Sequence, residues 1–247
     1  MKSFLKIVFG SMVGFLLFAL LWTVIVLAVL GGMLASFGEE AQPPLKEPAI
    51  LNVELTAPVV ERTSNNPMSY MSFNNMGKPA DLNMLLKAIR RAKTDDQIKG
   101  IVLRPGLTAS ISAAHAEEMR AALADFKAGG KFIYAYADAY DQNMYWLSTV
   151  ADTLGLQPEG AVDFRGLEMK VMFFKGLLDK VGVDMQILRH GKFKSAVEPY
   201  IQKEMSPANH EQYERLAHSM WDRIAEDVAA GRHMSRAAVD KAAAEVY

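Results

Sequence analysis

One lysine-rich stretch contains the side chains that best fit acid–base chemistry. Residues 189–205 read RHGKFKSAVEPYIQKEM and place Lys192 and Lys194 on either side of Phe193. In an extended chain these two lysines share a face, and burial or a nearby like charge lowers the pKa of a lysine. A neutral lysine of this kind is able to act as a general base. The alternative is a pair of solvated surface lysines.

Three serines are candidates for a nucleophile, and each has a simpler interpretation. Ser112 begins a predicted helix and fits the role of its N-cap. Ser148 lies within an apolar predicted helix, where packing explains it. Ser195 directly follows Lys194, and successive side chains of an extended chain point in opposite directions. None of the three is a convincing partner for Lys194.

The composition argues against several other kinds of site. The chain has no Cys, which excludes disulfides, thiolate metal sites and cysteine nucleophiles. It lacks GxGxxG, Walker, GxSxG and HExxH motifs, and its five His show no metal-ligand spacing. Its 27 basic and 28 acidic residues give a net charge of -1, which is too balanced for a nucleic-acid binder. We therefore predict no cofactor, no metal ion and no nucleic-acid partner.

The N-terminal residues have the length and composition of a membrane anchor. Residues 7–37 contain no charged side chain, and a bilayer core needs roughly 20 apolar helical residues. Lys2 and Lys6 precede this segment, whereas Glu39 and Glu40 follow it. The positive-inside rule then predicts a cytoplasmic tail at 1–6 and a single pass at 7–37 through the inner (plasma) membrane, with the main domain on the periplasmic, extracytoplasmic side. The alternative is a cleavable signal peptide.

The rest of the chain alternates between strand and helix patterns. Residues 38–48 are predicted to be an extended linker, and 49–247 one α/β domain built from βαβ units around a mostly parallel sheet. Residues 59–78 are predicted to form a long loop that contains Met68, Met71 and Met76. The predicted strands are 49–55, 98–103, 131–137 and 184–188, and the predicted helices are 82–94, 112–128, 143–151, 170–181, 207–230 and one that starts at Ser235.

Aromatic side chains are concentrated in one part of the domain. Tyr134, Tyr136, Tyr140, Tyr145 and Trp146 lie within thirteen residues of one another. They either line an apolar groove or fill the hydrophobic core, and the core is the default interpretation.

Three segments and the N-terminal anchor together resemble the signal peptide peptidase A family. The segments are GKFKSAVEPYIQKEMSP at 191–207, KGIVL at 99–103 and GLLDKVGVDMQILR at 176–189. The resemblance extends over nearly the whole chain, and its KSAVEP block is rather specific. It implies a crotonase-like α/β fold shared with Clp-type proteases. It also implies a Ser nucleophile with a Lys general base, acting on leftover signal peptides in or near the membrane.

Residue by residue, the resemblance assigns the base but no nucleophile. Lys194 matches the family's general base. In the one-domain form of the family a Ser-Gly-Gly before two aromatics supplies the nucleophile, whereas this chain has DQNMYW at 141–146, with Gln142 in the nucleophile's place. RPGLT at 104–108 stands where the family has a Gly-rich oxyanion segment. Both departures resemble the N-terminal repeat of the two-repeat form.

The resemblance therefore implies the Lys-bearing half of a split site, truncated before the Ser-bearing repeat. That repeat or another subunit would complete the site, homo-oligomers are expected, and the isolated chain is expected to be inactive. Two other interpretations stay open. One is a non-catalytic, membrane-anchored module for peptide binding or assembly. The other is a crotonase-type acyl-CoA enzyme, which the anchor and the acidic outer domain disfavour.

Overall fold

The computed structural model describes residues 2–36, 48–63, 79–188, 190–191 and 193–245. The chain divides into two compact units, Met1–Lys46 and Glu47–Tyr247. The first unit contains helix α1 (Lys2–Ser36), and its side chains from 2 to 32 are almost all exposed. Residues 2–32 of this helix are apolar and long enough to cross a bilayer. Most of the predicted linker at 38–48 lies outside the described residues.

The second unit is built on a sheet whose four strands are all parallel. They are β1 (Ala49–Leu55), β4 (Ile98–Pro105), β5 (Phe132–Tyr140) and β6 (Thr153–Val162), in the order β1-β4-β5-β6. The short strands β2 (Val59–Val60) and β3 (Ala80–Asp81) form a separate parallel pair. The predicted α/β class with a parallel sheet is confirmed.

Helices α2 (Leu82–Thr94), α3 (Ala113–Ala128) and α4 (Gln142–Ser148) connect the strands of the main sheet. Helices α5 (Lys175–Lys180), α6 (Glu198–Ile201), α7 (Pro207–Arg232) and α8 (Arg236–Ala244) follow. Side-chain oxygens of capping residues accept hydrogen bonds from backbone N–H groups at five helix N-termini. The caps are Asp81, Ser112, Asp141, Ser206 and Ser235.

One hydrophobic core joins the sheet to the helices around it. Strand residues such as Ile101 and Leu103 pack with Leu123 and Phe126 of α3, and α7 contributes Val228. Two of the clustered aromatics, Tyr140 and Trp146, are buried in this core, which confirms the default interpretation for them. Tyr134 is partly exposed and lies beside Gly155 of β6 together with Tyr136.

The structure differs from the predicted elements at four places. Strand β6 was not predicted, because Gly155, Pro158 and Gly160 interrupt its pattern; as the edge strand it pairs with β5 alone, where proline is tolerated. The predicted strand at 184–188 is irregular and mostly exposed, and none of the described strands pairs with it. The predicted helix at 170–181 shortens to α5, and the predicted loop pairs at its start, as β2, with β3.

Candidate active site

Residues 104–108 and 141–146, the two segments that depart from the pattern of the resembled family, meet at the carboxyl edge of the sheet. A cavity of about 250 Å³ opens where β4 and β5 end and α4 begins. Gly106 and Leu107 line it from one segment, and Asp141 and Met144 from the other. Open parallel sheets commonly bind ligands at this edge. The fold thus brings the oxyanion-like segment next to the position that the family resemblance assigns to a nucleophile.

Two hydrogen bonds hold the turn after β4 against the end of β1. The Gly106 N–H donates to the Leu55 carbonyl at 2.8 Å, and the Thr108 hydroxyl donates to the Thr56 carbonyl at 2.6 Å. A Cβ at Gly106 would lie 3.2 Å from the Leu55 oxygen, so a larger residue would push the turn away. The turn is fixed in place, but it carries one glycine where a Gly-rich segment was expected.

Gln142 stands at the first position of α4 and has a structural role. Its Oε1 accepts hydrogen bonds from the backbone N–H groups of Arg165 and Gly166, at 3.2 and 3.0 Å. Gly166 has a φ of 83°, a left-handed conformation that favours glycine. A carboxamide has no nucleophilic oxygen or sulfur that this chemistry could use. The position therefore links α4 to the segment after β6.

The turn that carries Lys194 is not extended. Lys194 has φ -109° and ψ 64°, and it precedes a 3₁₀ turn at Ser195–Val197 that leads into α6. The expected shared face of Lys192 and Lys194 therefore does not follow, and Lys192 lies outside the described residues. Lys194 is exposed in this chain, and it is not among the residues that line the cavity at the sheet edge. The expected dry environment for the amine is not provided by this chain alone.

The three candidate serines occupy separate places. The Ser112 hydroxyl accepts a hydrogen bond from the His115 N–H at 3.2 Å and so caps α3. Ser148 is completely buried at the end of α4. The Ser195 hydroxyl donates to Gln212 Oε1 at 3.0 Å.

Two features of the site were missed by the sequence analysis. One is the pair of N–H groups that hold Gln142, and no sequence signal marks it beyond Gly166. The other is Glu198, whose carboxylate is buried in a segment whose other residues are exposed or half-buried. A charged residue between Val197 and Pro199 was a usable signal, because burial of an acid is costly and needs hydrogen-bond donors nearby.

Tyr140, which lines the cavity, does not suit acid–base chemistry near neutral pH. Burial raises the pKa of Tyr140 to about 12, and its hydroxyl donates to the Gly155 carbonyl at 3.0 Å. Tyr140 is thus a neutral core residue. Among the described residues, no group of three His, Asp or Glu side chains is arranged to hold a metal ion.

Comparison with known proteins places the second half of the chain in a peptidase family. Residues 125–247 match Peptidase family S49. The chain is 37% identical over 154 residues to Protease 4 of Salmonella typhi and 35% identical over 149 residues to Protease 4 of Haemophilus influenzae. These alignments cover 61% and 60% of this chain, but 24% of each relative. Residues 125–247, which match the family, contain both Gln142 and Lys194.

A comparison with solved structures finds an enoyl-CoA hydratase/isomerase family protein of Silicibacter pomeroyi. The two chains share 14% sequence identity with a TM-score of 0.30, over 66% of this chain and 86% of the other.

Proposed function

We propose that this chain, a member of the signal peptide peptidase A family (peptidase family S49), is the Lys-bearing part of a membrane-anchored serine peptidase of the Ser-Lys type. Lys194 is the general base in this proposal. The nucleophilic serine comes from another repeat or another subunit. The substrates are cleaved signal peptides. The observation that carries the proposal is the match of the KSAVEP turn within the S49 region, together with a glutamine at the nucleophile's position.

The proposed chemistry needs no metal ion or cofactor. Neutral Lys194 accepts the proton of the serine hydroxyl while the serine oxygen attacks the peptide carbonyl carbon. Backbone N–H groups stabilise the resulting oxyanion. The lysine then returns the proton to the leaving amine, the acyl-enzyme forms, and water hydrolyses it by the same route in reverse. An extended peptide adding to an exposed strand edge would present its apolar side chains to pockets.

Because Lys194 is exposed, this proposal requires that water be excluded from its amine in the complete enzyme. A lysine in water holds its proton near neutral pH, so the base requires a second surface that excludes water from the amine. We propose that the Ser-bearing partner supplies this surface and that the complete enzyme is an oligomer. The Lys194 amine would then lose its contact with water, and become able to act as a base, only when the partner binds.

The proposed location follows from the N-terminal unit. Helix α1 is proposed to cross the inner membrane once, with residues 1–6 in the cytoplasm and the α/β domain on the periplasmic side. Lys2 and Lys6 before the apolar segment and Glu39 and Glu40 after it support this orientation. Protease added to right-side-out vesicles is expected to degrade the α/β domain, and degradation only after lysis would contradict the orientation.

The test of the activity uses protein solubilised from its native membrane in mild detergent, so that a partner stays bound. We expect hydrolysis of an apolar fluorogenic peptide by this assembly and none by the chain purified to homogeneity. Lys194→Ala should abolish the hydrolysis, and Lys194→Arg should do the same because arginine keeps its proton. Lys203→Ala, at another exposed lysine of the same segment, is the matched control and should be active. Turnover by the homogeneous chain, or by assembled Lys194→Ala, would contradict the split site.

A second candidate function is a non-catalytic module that binds peptides or organises a complex. The occupied Gln142 side chain and the exposed Lys194 both favour it. The protonation state of the Lys194 amine in the assembly, followed by ¹⁵N NMR, separates the two functions. An amine that is neutral near pH 7 supports the base, and an amine that stays charged supports the module.

A further inference from the structure

Lys194 lies in a segment that makes few contacts with the hydrophobic core. Among the described residues from 163 to 208, Glu198 is the one buried residue. Several apolar side chains in this segment, including Leu188 and Phe193, are exposed, and Phe164 packs partly against the core. Because little apolar surface is fully buried here, polar contacts contribute much of what holds Lys194 in position.

The Glu198 carboxylate supplies several of these contacts, and it is 2% exposed. Its oxygens accept hydrogen bonds from the Ser206 hydroxyl at 2.6 Å, the Ser206 N–H at 3.2 Å and the Asn209 Nδ2 at 3.0 Å. Ser206 is the N-cap of α7, and Asn209 is likewise buried. The N-terminal end of a helix favours a negative charge. The carboxylate therefore fixes the start of α6 to the first turn of α7.

A second set of contacts holds the other side of the Lys194 turn to the same helix. Gln212 accepts a hydrogen bond from the Ser195 hydroxyl at 3.0 Å and donates from Nε2 to the Phe193 carbonyl at 3.5 Å. Gln212 follows Asn209 by three residues, so both lie on one face of α7. Lys194 thus stands between two attachments to a single face of a 26-residue helix.

We infer that Glu198 is a positioning residue for Lys194: its buried carboxylate fixes the Lys194 turn on the N-terminal turns of α7. Glu198 does not touch substrate in this account and acts through the backbone of residues 194–198. The inference rests on the proposed function for its catalytic consequence, but the positioning itself is measurable without catalysis.

The test replaces the charge while keeping the shape, with Glu198→Gln, and uses Glu204→Gln as the matched control at an exposed position of the same segment. Hydrogen exchange on the full chain in detergent measures positioning. We expect the amides of Glu198 and Gln202, which donate to Ser195 and Glu198 carbonyls, to exchange at least about tenfold faster, since hydrogen bonds to a charged group are the stronger ones. Amides of α3 and all amides of Glu204→Gln should be unchanged.

Catalysis is measured in the native-membrane assembly. Glu198→Gln should lower kcat by about 10- to 100-fold with KM nearly unchanged, since a displacement on the order of 1 Å at a reacting group costs about 100-fold. Gln212→Ala, which removes the second attachment, should give a smaller loss of the same kind and guards against a folding defect in Glu198→Gln.

The outcomes separate the two claims. Unchanged exchange at residues 193–202 would overturn the positioning role, whatever the activity. Faster exchange with normal kcat, in an assembly that Lys194→Ala inactivates, would overturn its catalytic consequence. If no assembly shows activity that depends on Lys194, the proposed function fails, and the exchange result alone then decides whether Glu198 positions the turn.

Discussion

At the scale of single residues, Gln142 occupies the position that the family resemblance assigns to a nucleophile. Its carboxamide oxygen is held by two backbone N–H groups at 3.2 and 3.0 Å. Gln142→Ala should lower the free energy of unfolding by about 1 kcal/mol and speed hydrogen exchange at Arg165 and Gly166. Gln97→Ala, at an exposed glutamine, is the control. If exchange at 165–166 does not change, the linking role of Gln142 is wrong.

Gly231 tests how closely α7 packs on the end of α4. A Cβ at this glycine would overlap the Thr149 carbonyl oxygen, which is backbone and unable to rotate away. Gly231→Ala should therefore destabilise the domain by about 1–3 kcal/mol, or about 2–4 °C in Tm per kcal/mol. Gly176→Ala in α5 meets nothing within 4 Å and should be neutral or stabilising. Equal Tm values for the two variants would contradict this packing.

At the scale of elements, a polar contact joins three helices. Asp227 of α7 accepts from Trp146 Nε1 of α4 at 3.0 Å and pairs with Arg120 Nε of α3 at 3.2 Å. Burial lowers the pKa of Arg120, and Asp227 opposes that effect. Asp227→Asn should lower the free energy of unfolding by about 3 kcal/mol, because it leaves a largely buried guanidinium without its charge partner.

The control for that variant is Asp125→Asn, which breaks an exposed pair with Lys93. Exposed pairs contribute about 0–1 kcal/mol, so urea unfolding should separate the two variants clearly. Similar losses in both would mean that the three-helix contact is no stronger than a surface pair.

The hydrogen bonds of the Asp81 carboxylate at the start of α2 make the free energy of unfolding depend on pH. The N–H groups of Thr63 and Met84 donate to the Asp81 carboxylate and hold the pKa of Asp81 below its usual value. A group whose pKa is lower in the folded state stabilises the protein above the unfolded-state pKa, about 3.9 for Asp, and loses this contribution as pH falls through the folded-state pKa.

Asp81→Asn keeps an N-cap but removes the charge. Its urea midpoint should lie below that of the unmodified chain at pH 6, and the difference should shrink as pH falls below about 4. Asp96→Asn, at an exposed position before β4, is the control and should give a smaller difference at pH 6. A gap for Asp81→Asn that widens in acid would contradict the assigned sign.

The helices and strands also show how much of the fold could be predicted from the sequence. Strand β1, helix α2 and the cap at Ser112 were predicted correctly, because local pattern and capping chemistry determine them. Strand β6 was missed, and residues 184–188 were wrongly taken as a strand, because a strand depends on a neighbour that its own sequence does not encode. The Glu198 contacts join residues up to eleven apart and needed the fold to be seen.

At the scale of the whole molecule, we expect α1 to keep the protein in the membrane fraction rather than the soluble fraction. Residues 2–32 are apolar and long enough to span a membrane. The full chain should resist extraction by alkaline carbonate, whereas a variant lacking residues 2–36 should be released. Sequencing the N-terminus of the membrane form distinguishes an anchor from a signal peptide, since cleavage after the apolar segment would contradict the anchor.

The central claim is that Lys194 of this chain activates a serine that lies on another repeat or subunit. A fluorophosphonate probe reports this directly, because it forms a stable adduct with an activated serine, which peptide mapping by mass spectrometry locates. In the native-membrane assembly the account predicts an adduct on a serine outside residues 1–247 of the Lys194-bearing chain, lost in Lys194→Ala and retained in Lys203→Ala. An adduct on Ser112, Ser148 or Ser195, or one that persists in Lys194→Ala, would contradict it.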